Sequence, residues 1–415
     1  MPHIAIWIIA ILSIACVIIR PFKLAEAVWA VTGAILLVIL GLITPREGLA
    51  GIQKGTDVYL FLTGMMLLAE TAREEKLFDW LAAYATKLAK GSASRLFLLI
   101  YLVGVVVTTF LSNDATAVVL TPAVAAAVKA AKVDKPLPYL FICAFIANAA
   151  SFVLPISNPA NLVIYGNRMP ALLQWLQQYL LPSILAIAVT YFMLRFTQRK
   201  TLNQPIESNV PIPKLSQGGK TAMLGIALTA IVLIVCSAMN VPLGLPTAIT
   251  GVITSAVVII RAKKNPWIVI KGVSWSVIPL VAGLFVIVEA LGKTGVIENI
   301  TALLQQSAVQ SVNKTAWGCG LIIAYGCNLL NNLPAGLIAG NAVQAASVPA
   351  VVKSAVLIGV DLGPNLSITG SLATILWLVA LRREGQTVSA WSFLKLGFLV
   401  MTVALLAALA VLWVW

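Results

Sequence analysis

The chain has 415 residues, of which 60% are hydrophobic and 10% charged, where a soluble domain of this length carries about a quarter charged residues. Its net charge is +14, yet the basic residues sit at the ends of apolar segments rather than in a stripe interleaved with aromatics, which excludes a nucleic-acid-binding protein and indicates a polytopic membrane protein. One histidine (His3) and five cysteines without C-x-x-C spacing leave no basis for a histidine relay, a thiolate metal site or a disulfide framework; no cofactor is expected, and with no nucleophile–base arrangement or phosphate loop visible, no enzyme either.

In chain order, apolar helices are expected near 4–19, 25–43 and 57–70, followed by a stretch, 71–93, that mixes Arg73, Glu74, Lys76, Lys87 and Lys90 with Leu77, Phe78 and Leu81. That mixture suits an amphipathic helix in the interface rather than a span. Residues 95–131 form two apolar arms around Ser112-Asn113-Asp114, each short for a full crossing of about 20 residues, and read as a re-entrant helical hairpin, with a spanning helix pair as the alternative. Residues 138–165 are apolar until Leu154-Pro155-Ile156-Ser157-Asn158-Pro159-Ala160-Asn161. Two prolines there remove N–H groups and clash with the preceding turn, so the helix must break, and irregular backbone at that depth is tolerated only in protein or beside a cavity. A span at 175–196 closes the half.

The second half repeats the order: spans near 221–239, 244–260 and 274–291, an amphipathic stretch 293–312, a hairpin 315–348 around Asn331-Asn332-Leu333-Pro334, a helix 352–380 broken at Asp361-Leu362-Gly363-Pro364-Asn365 and Ile368-Thr369-Gly370-Ser371, and a last span to Trp415. Gly64, Glu70 and Asn113 each recur 219 residues later as Gly283, Glu289 and Asn332. Laying Ile156-Ser157-Asn158 on Ile368-Thr369-Gly370 gives an offset of 212 for the breaks. The expected fold is therefore an all-α polytopic membrane protein of two repeats, 1–197 and 220–415, joined by a cytoplasmic linker loop, 198–219. Each repeat has five transmembrane helices, one of them discontinuous, plus a re-entrant helical hairpin. An odd number of spans makes the repeats inverted. With the N-terminus outside, 22 of the 28 Lys/Arg fall on the cytoplasmic side, leaving Arg46, Lys54, Arg168, Lys293, Lys314 and Lys353 outside, a bias that orients the chain.

Two hairpin tips and two helix breaks related by inversion should converge near the bilayer midplane, where broken helices present unpaired N–H and carbonyl groups. Ser112, Asn113, Ser157, Asn158, Asn161, Asn331, Asn332, Thr369, Gly370 and Ser371 are the candidate substrate-binding residues. The set is rich in hydroxyls and amides and contains no Lys or Arg, so it suits a small neutral hydrogen-bonding solute better than a multiply charged anion, which would call for a basic partner. Asp114 and Asp361 are the candidate proton-coupling residues, because an ionisable group at this depth is functional by default. Asp114 has a structural alternative, as a cap for a helix beginning at Ala115, and Asp361 a turn-forming one. Cys319 and Cys327 read as apolar filler rather than as thiol ligands.

At these residues the chain resembles the arsenite/antimonite permease (ArsB) family of the ion transporter superfamily. The resemblance rests on Asn331-Asn332-Leu333-Pro334, on Asp361-Leu362-Gly363-Pro364-Asn365 followed by Thr369-Gly370-Ser371-Leu372-Ala373-Thr374, on Asn113-Asp114 with Leu120-Thr121-Pro122, and on Ser157-Asn158 with Asn161. It implies export of arsenite or antimonite from the cytoplasm of a bacterial or archaeal cell across its plasma (inner) membrane, driven by entering protons, sometimes with a soluble arsenite-stimulated ATPase as partner. Dicarboxylate carriers of the wider superfamily have Ser-Asn-Thr tips, whereas Asp114 follows Ser112-Asn113 here. The family often places an acidic residue where this chain has Asn148; if that acid carries protons elsewhere, either the task falls here to Asp114 or Asp361 or the coupling differs. The alternative reading is a sodium- or proton-coupled symporter for a dicarboxylate or sulfate, and a passive channel is a weaker one.

Overall fold

The computed structural model of the protein describes residues 2–166, 169–207 and 210–413; Arg168, part of the linker and the last two residues of the final span lie outside them. Ten helices precede the linker and ten follow it, counting 113–130 as one helix and setting short 3-10 turns aside. In the first half these are α1 (Pro2–Ile19), α2 (Glu26–Ile39), α3 (Pro45–Lys54), α4 (Thr56–Glu74), α5 (Leu77–Leu88), α6 (Ala93–Phe110), α7 (113–130), α8 (Leu137–Ala149), α9 (Pro159–Tyr165) and α10 (Leu172–Gln198). The second half has α11 (Gln217–Ala238), α12 (Gly244–Ala262), α13 (Pro266–Gly272), α14 (Val277–Gly292), α15 (Val296–Gln310), α16 (Val312–Leu330), α17 (Asn332–Ala346), α18 (Ala350–Leu362), α19 (Leu372–Arg383) and α20 (Ala390–Ala410). Seven helices among the described residues are long and apolar enough to cross a membrane, which with the interrupted pairs α8/α9 and α18/α19 gives a multi-pass membrane protein.

Helix for helix, the order of one half is the order of the other, and the packing exchanges with it. Helix α2 lies along α14 and α4 along α12; α9 packs on α17 and α19 on α7; α10 meets α20. Directions follow from the contacts. Asp57 Oδ1 accepts from Gly244 N at 2.8 Å, Thr71 Oγ1 donates to Ser255 Oγ at 2.8 Å, and Lys264 pairs with Glu75 at 2.8 Å, so α4 and α12 run side by side in the same sense. By contrast Lys54, just before α4, and Tyr59, in its first turn, meet Glu289 and Phe285 in the second half of α14, so α4 and α14, at the same place in the order of the two halves, run oppositely.

The recurring Gly-x5-Glu pattern belongs to these crossings. A Cβ on Gly64 would sit 2.2 Å from Thr247 O, and one on Gly283 would sit 2.7 Å from the backbone of Ala30. Glycine is what lets each pair of backbones touch, which is how helices pack where the lipid supplies no hydrophobic drive. The glutamates take up ion pairs at opposite faces, Glu70 with Arg73 and Glu289 with Lys54.

Two short helices, α3 and α13, went unread in the sequence. Helix α3 starts with a capping box: Thr44 accepts from Glu47 N at 3.3 Å while Glu47 accepts from Thr44 N at 2.7 Å. The expected amphipathic stretches are α5 and α15, each burying one face against its hairpin. In α7, residues 116–120 form a wide π turn immediately before Pro122, whose missing N–H removes a bond from the ladder. The linker folds back over the base of the first hairpin through Glu207 N to Ala131 O at 2.9 Å and Ser216 Oγ to Glu75 at 2.6 Å.

Candidate functional site

Each polar break is built by side chains completing what the interrupted helices lack. At the first tip Ser112 is the cap: extended backbone places its Oγ to accept from Ala115 N at 3.1 Å. The helix therefore begins at Asn113, ahead of the start at Ala115 that a cap by Asp114 would give, and the Asp114 carboxylate is left to face the interior. At the second tip Asn331 adopts a left-handed φ of 71°, accepts from Leu333 N at 3.4 Å and sends its amide to Thr369 O at 3.4 Å. The breaks are capped by Asn158, which accepts from Ala160 N at 3.0 Å, and by Ser371, which accepts from Thr374 N at 3.1 Å. These caps lie 213 residues apart, so the offset of 212 drawn from the Ile-Ser-Asn match is one too small, and Asn158 corresponds to Ser371 rather than to Gly370.

Five of the expected residues come together. Asn113 and Asp114 of the first tip, Asn158 of the first break, Asn332 of the second tip and Ser371 of the second break line one narrow central cavity, roofed by Leu62 of α4 and Val277 of α14. Backbone bonds hold the second tip to its break, Asn332 N donating to Gly370 O at 2.9 Å. Ser112 and Asp114 also line an adjoining cavity that runs along α4 to Glu70 and Gly272. On the opposite face Lys54, Asp57, Gly166, Glu289, Asn341 and Gln344 line a second approach, which shares Asp57, Leu162 and Gly166 with a wider vestibule bounded by Tyr165, Gln178, Asn240 and Lys353.

The remaining expected residues do not line the central cavity. Ser157 Oγ donates to Thr109 O at 3.0 Å, Asn161 Nδ2 to Ser151 O at 2.9 Å, and Thr369 Oγ1 to Asn328 O at 3.1 Å. All three satisfy carbonyls orphaned by the breaks, groups that would cost about 2–7 kcal/mol each if buried unpaired. Asp361 sits behind the cavity rather than in it. It is 0% exposed, and its Oδ1 accepts from Asn158 Nδ2 at 2.8 Å. The mirror-related crossing pairs Asn148 with Ser371 Oγ at 3.5 Å, and Asn148 also donates to Asn365 Oδ1 at 3.0 Å. Asn328, which accepts from Ser367 Oγ at 2.7 Å and donates to Gly363 O at 3.0 Å, was missed. An amide one turn before a tip, inside an apolar helix, was the signal.

Hairpins and broken helices meeting in a polar cavity inside a multi-pass bundle define a membrane transporter, not an enzyme. A family model described as citrate transporter matches residues 7–359, and the chain belongs to that family. Among relatives, it is 27% identical to an arsenical pump membrane protein of Escherichia coli (strain K12), covering 97% of both chains, and 28% identical to one from Yersinia enterocolitica, covering 82% of both. An uncharacterized transporter of Mycobacterium tuberculosis is 23% identical over 98% of this chain and 97% of its own. In fold it is similar to the Alcanivorax borkumensis YdaH transporter, with a TM-score of 0.58 at 14% identity over 89% and 87% of the two chains. It is also similar to Neisseria gonorrhoeae MtrF, described as illuminating a class of antimetabolite efflux pumps, with a TM-score of 0.56 at 13% identity over 100% and 95%.

Proposed function

We propose that this transporter exports arsenite or antimonite from the cytoplasm in exchange for entering protons, and so confers arsenic resistance. The observation that carries the reading is the cavity lining among the described residues: amides and a hydroxyl from Asn113, Asn158, Asn332 and Ser371, one carboxylate from Asp114, and no Lys or Arg. Arsenous acid at neutral pH is an uncharged trihydroxy molecule, matched by neutral donors and acceptors. A tricarboxylate or sulfate would enter this cavity with no cation to meet it and an aspartate to oppose it. The arsenical-pump relatives that align end to end with the chain favour the same substrate. Opposite running of corresponding helices, α4 against α14, supports inverted repeats and hence alternating access to the cavity from each face in turn. The basic residues cluster on the face of Arg20, Arg73 and Lys264, which favours that face as cytoplasmic in a bacterial or archaeal inner membrane.

The family's description keeps one rival in play, proton- or sodium-coupled uptake of a di- or tricarboxylate. Everted membrane vesicles separate the two. Accumulation of radiolabelled arsenite that requires a pH gradient, acid inside, is the expected result; sodium- or proton-driven succinate or citrate transport with no arsenite movement would overturn it.

A further inference from the structure

Two rungs cross between the short helix α9 and α18. At one, Asn158 Nδ2 donates to Asp361 Oδ1 at 2.8 Å. At the other, Ser354 of α18 lies against the hydroxyls of Tyr165 and Tyr179. Asn158 and Tyr165 are seven residues apart, as are Ser354 and Asp361, so each set spans two turns, about 10 Å, along one face of its helix.

The outer rung is wet at one end. Tyr165 and Lys353 line the wide vestibule, with the Lys353 ammonium 5.0 Å from the centre of the Tyr165 ring. Tyr165 Oη lies 2.7 Å from Tyr179 Oη and 3.3 Å from Gln178 Oε1. Because Gln178 Oε1 can only accept, Tyr165 donates to it and Tyr179 donates to Tyr165. Tyr179 is fully buried, packed on Trp175 and Phe152.

The inner rung has a free end. Asp361 Oδ2 and Asn161 Oδ1 are both buried without a hydrogen-bond partner. Ser151 approaches the carboxylate but sends its proton to Asn148 O at 2.7 Å. The other titratable groups acting on Asp361 are Tyr179 from α10 and Cys327 from α16; the first break presents only the neutral Asn158 and Ser151 to it.

We propose that Tyr165, Tyr179 and Ser354 are the route by which protons pass between the vestibule and Asp361, separate from the substrate cavity. The inference rests on Asp361 as a proton carrier in the exchange described above. With Tyr179 donating to Tyr165, the hydroxyls are set for outward passage, a proton leaving Tyr165 Oη for the vestibule being replaced from Tyr179; inward passage follows once both hydroxyls rotate so that Tyr165 donates to Tyr179. The proposed route needs water across the remaining interval, and the last transfer forms an O–H bond on Asp361 Oδ2, which has no hydrogen-bond partner. Each hydroxyl ends with as many protons as it began with, and the only net change is neutralisation of one carboxylate. The route reaches Asp361 from the side away from Asn158, the residue that borders the substrate cavity, so the two solutes need not share a path.

The test uses the full chain in liposomes, comparing wild type, Tyr179→Phe, Ser354→Ala and Asp361→Asn. Two rates are read: proton movement, by an entrapped pH dye, driven by an arsenite gradient, and arsenite–arsenite exchange at equal pH. Tyr179→Phe and Ser354→Ala should slow coupled proton movement about tenfold or more while exchange stays within about twofold. Wild-type coupling in both variants, with coupling lost in Asp361→Asn, would overturn the route and leave the antiport reading standing. Coupling retained in Asp361→Asn would remove both the route and the role of Asp361. If Tyr179→Phe slows both rates together, Ser354→Ala, which leaves the aromatic packing intact, decides: equal loss of the two rates there also overturns the route.

Discussion

The two halves of the molecule agree in geometry and differ in chemistry. Asn158 and Ser371 cap equivalent helices, and each reaches across to the other half at equivalent positions of α8 and α18. In one crossing the partner is Asp361, in the other Asn148. The tips show the same imbalance, Asp114 after Asn113 against Leu333 after Asn332. Each of these two pairs thus holds one carboxylate, not two. In the antiport proposed above, matched geometry would let the cavity face either side at similar energy, and an ionisable group present once per pair would give protonation something to act on.

The sharpest way to break this comparison is to move the acid. Asp361→Asn alone should lower pH-driven arsenite flux by about a hundredfold or more. Adding Asn148→Asp, which rebuilds the acid at the equivalent site beside Ser371, should restore part of that flux, measured in vesicles at a fixed pH gradient. No recovery would mean that the two crossings are equivalent in shape only. A smaller effect tests the matched geometry itself. Gly64→Ala and Gly283→Ala should each destabilise the protein by about 1–3 kcal/mol through overpacking against the facing backbone, lowering the thermal unfolding midpoint in detergent by similar amounts. Unequal shifts would show that the α4–α12 and α2–α14 crossings do not carry matching loads.

The smallest effect lies at the periphery. Helix α3 is capped by an ionisable box, while α13 is capped by neutral Asn265 accepting from Trp267 N at 2.9 Å. Lys293 and the Thr44 cap hold the Glu47 carboxyl well below its ordinary range. A carboxylate depressed in the folded state stabilises it above its unfolded value, and that contribution fades as pH falls from about 4.5 toward about 2. Glu47→Gln should therefore shift the midpoint slightly at pH 7 and not at all at the acid end of that range, with transport unchanged. A shift that persists at low pH would assign the cap to hydrogen bonding alone.

Much of this was legible in the chain because asparagine and proline are costly inside an apolar helix and stand there only where the helix breaks or a polar group is put to use. The hairpins, the breaks, the recurring order and five cavity residues follow from that signal. What escaped did so for local reasons. Helices α3 and α13 are too short to show a period, although Thr44-x-x-Glu47 marked the first. The offset between the breaks was set by an isoleucine match instead of by the caps, and only the caps have a geometric role. Ser157, Asn161 and Thr369 looked like ligands to a solute, whereas broken helices leave carbonyls that need donors first, and these side chains supply them. Asn328 escaped although an amide one turn before a tip marked it, because its bonds to Ser367 and Gly363 join segments distant in sequence.

The most direct measurement of the central claim is simultaneous recording of arsenite and proton fluxes in liposomes for wild type and Asp114→Asn. Wild type should move protons opposite to arsenite, in fixed proportion, and Asp114→Asn should lose that coupled movement while still exchanging arsenite for arsenite. Arsenite flux that is indifferent to the pH gradient in wild type, or coupling undiminished in Asp114→Asn, would contradict the account.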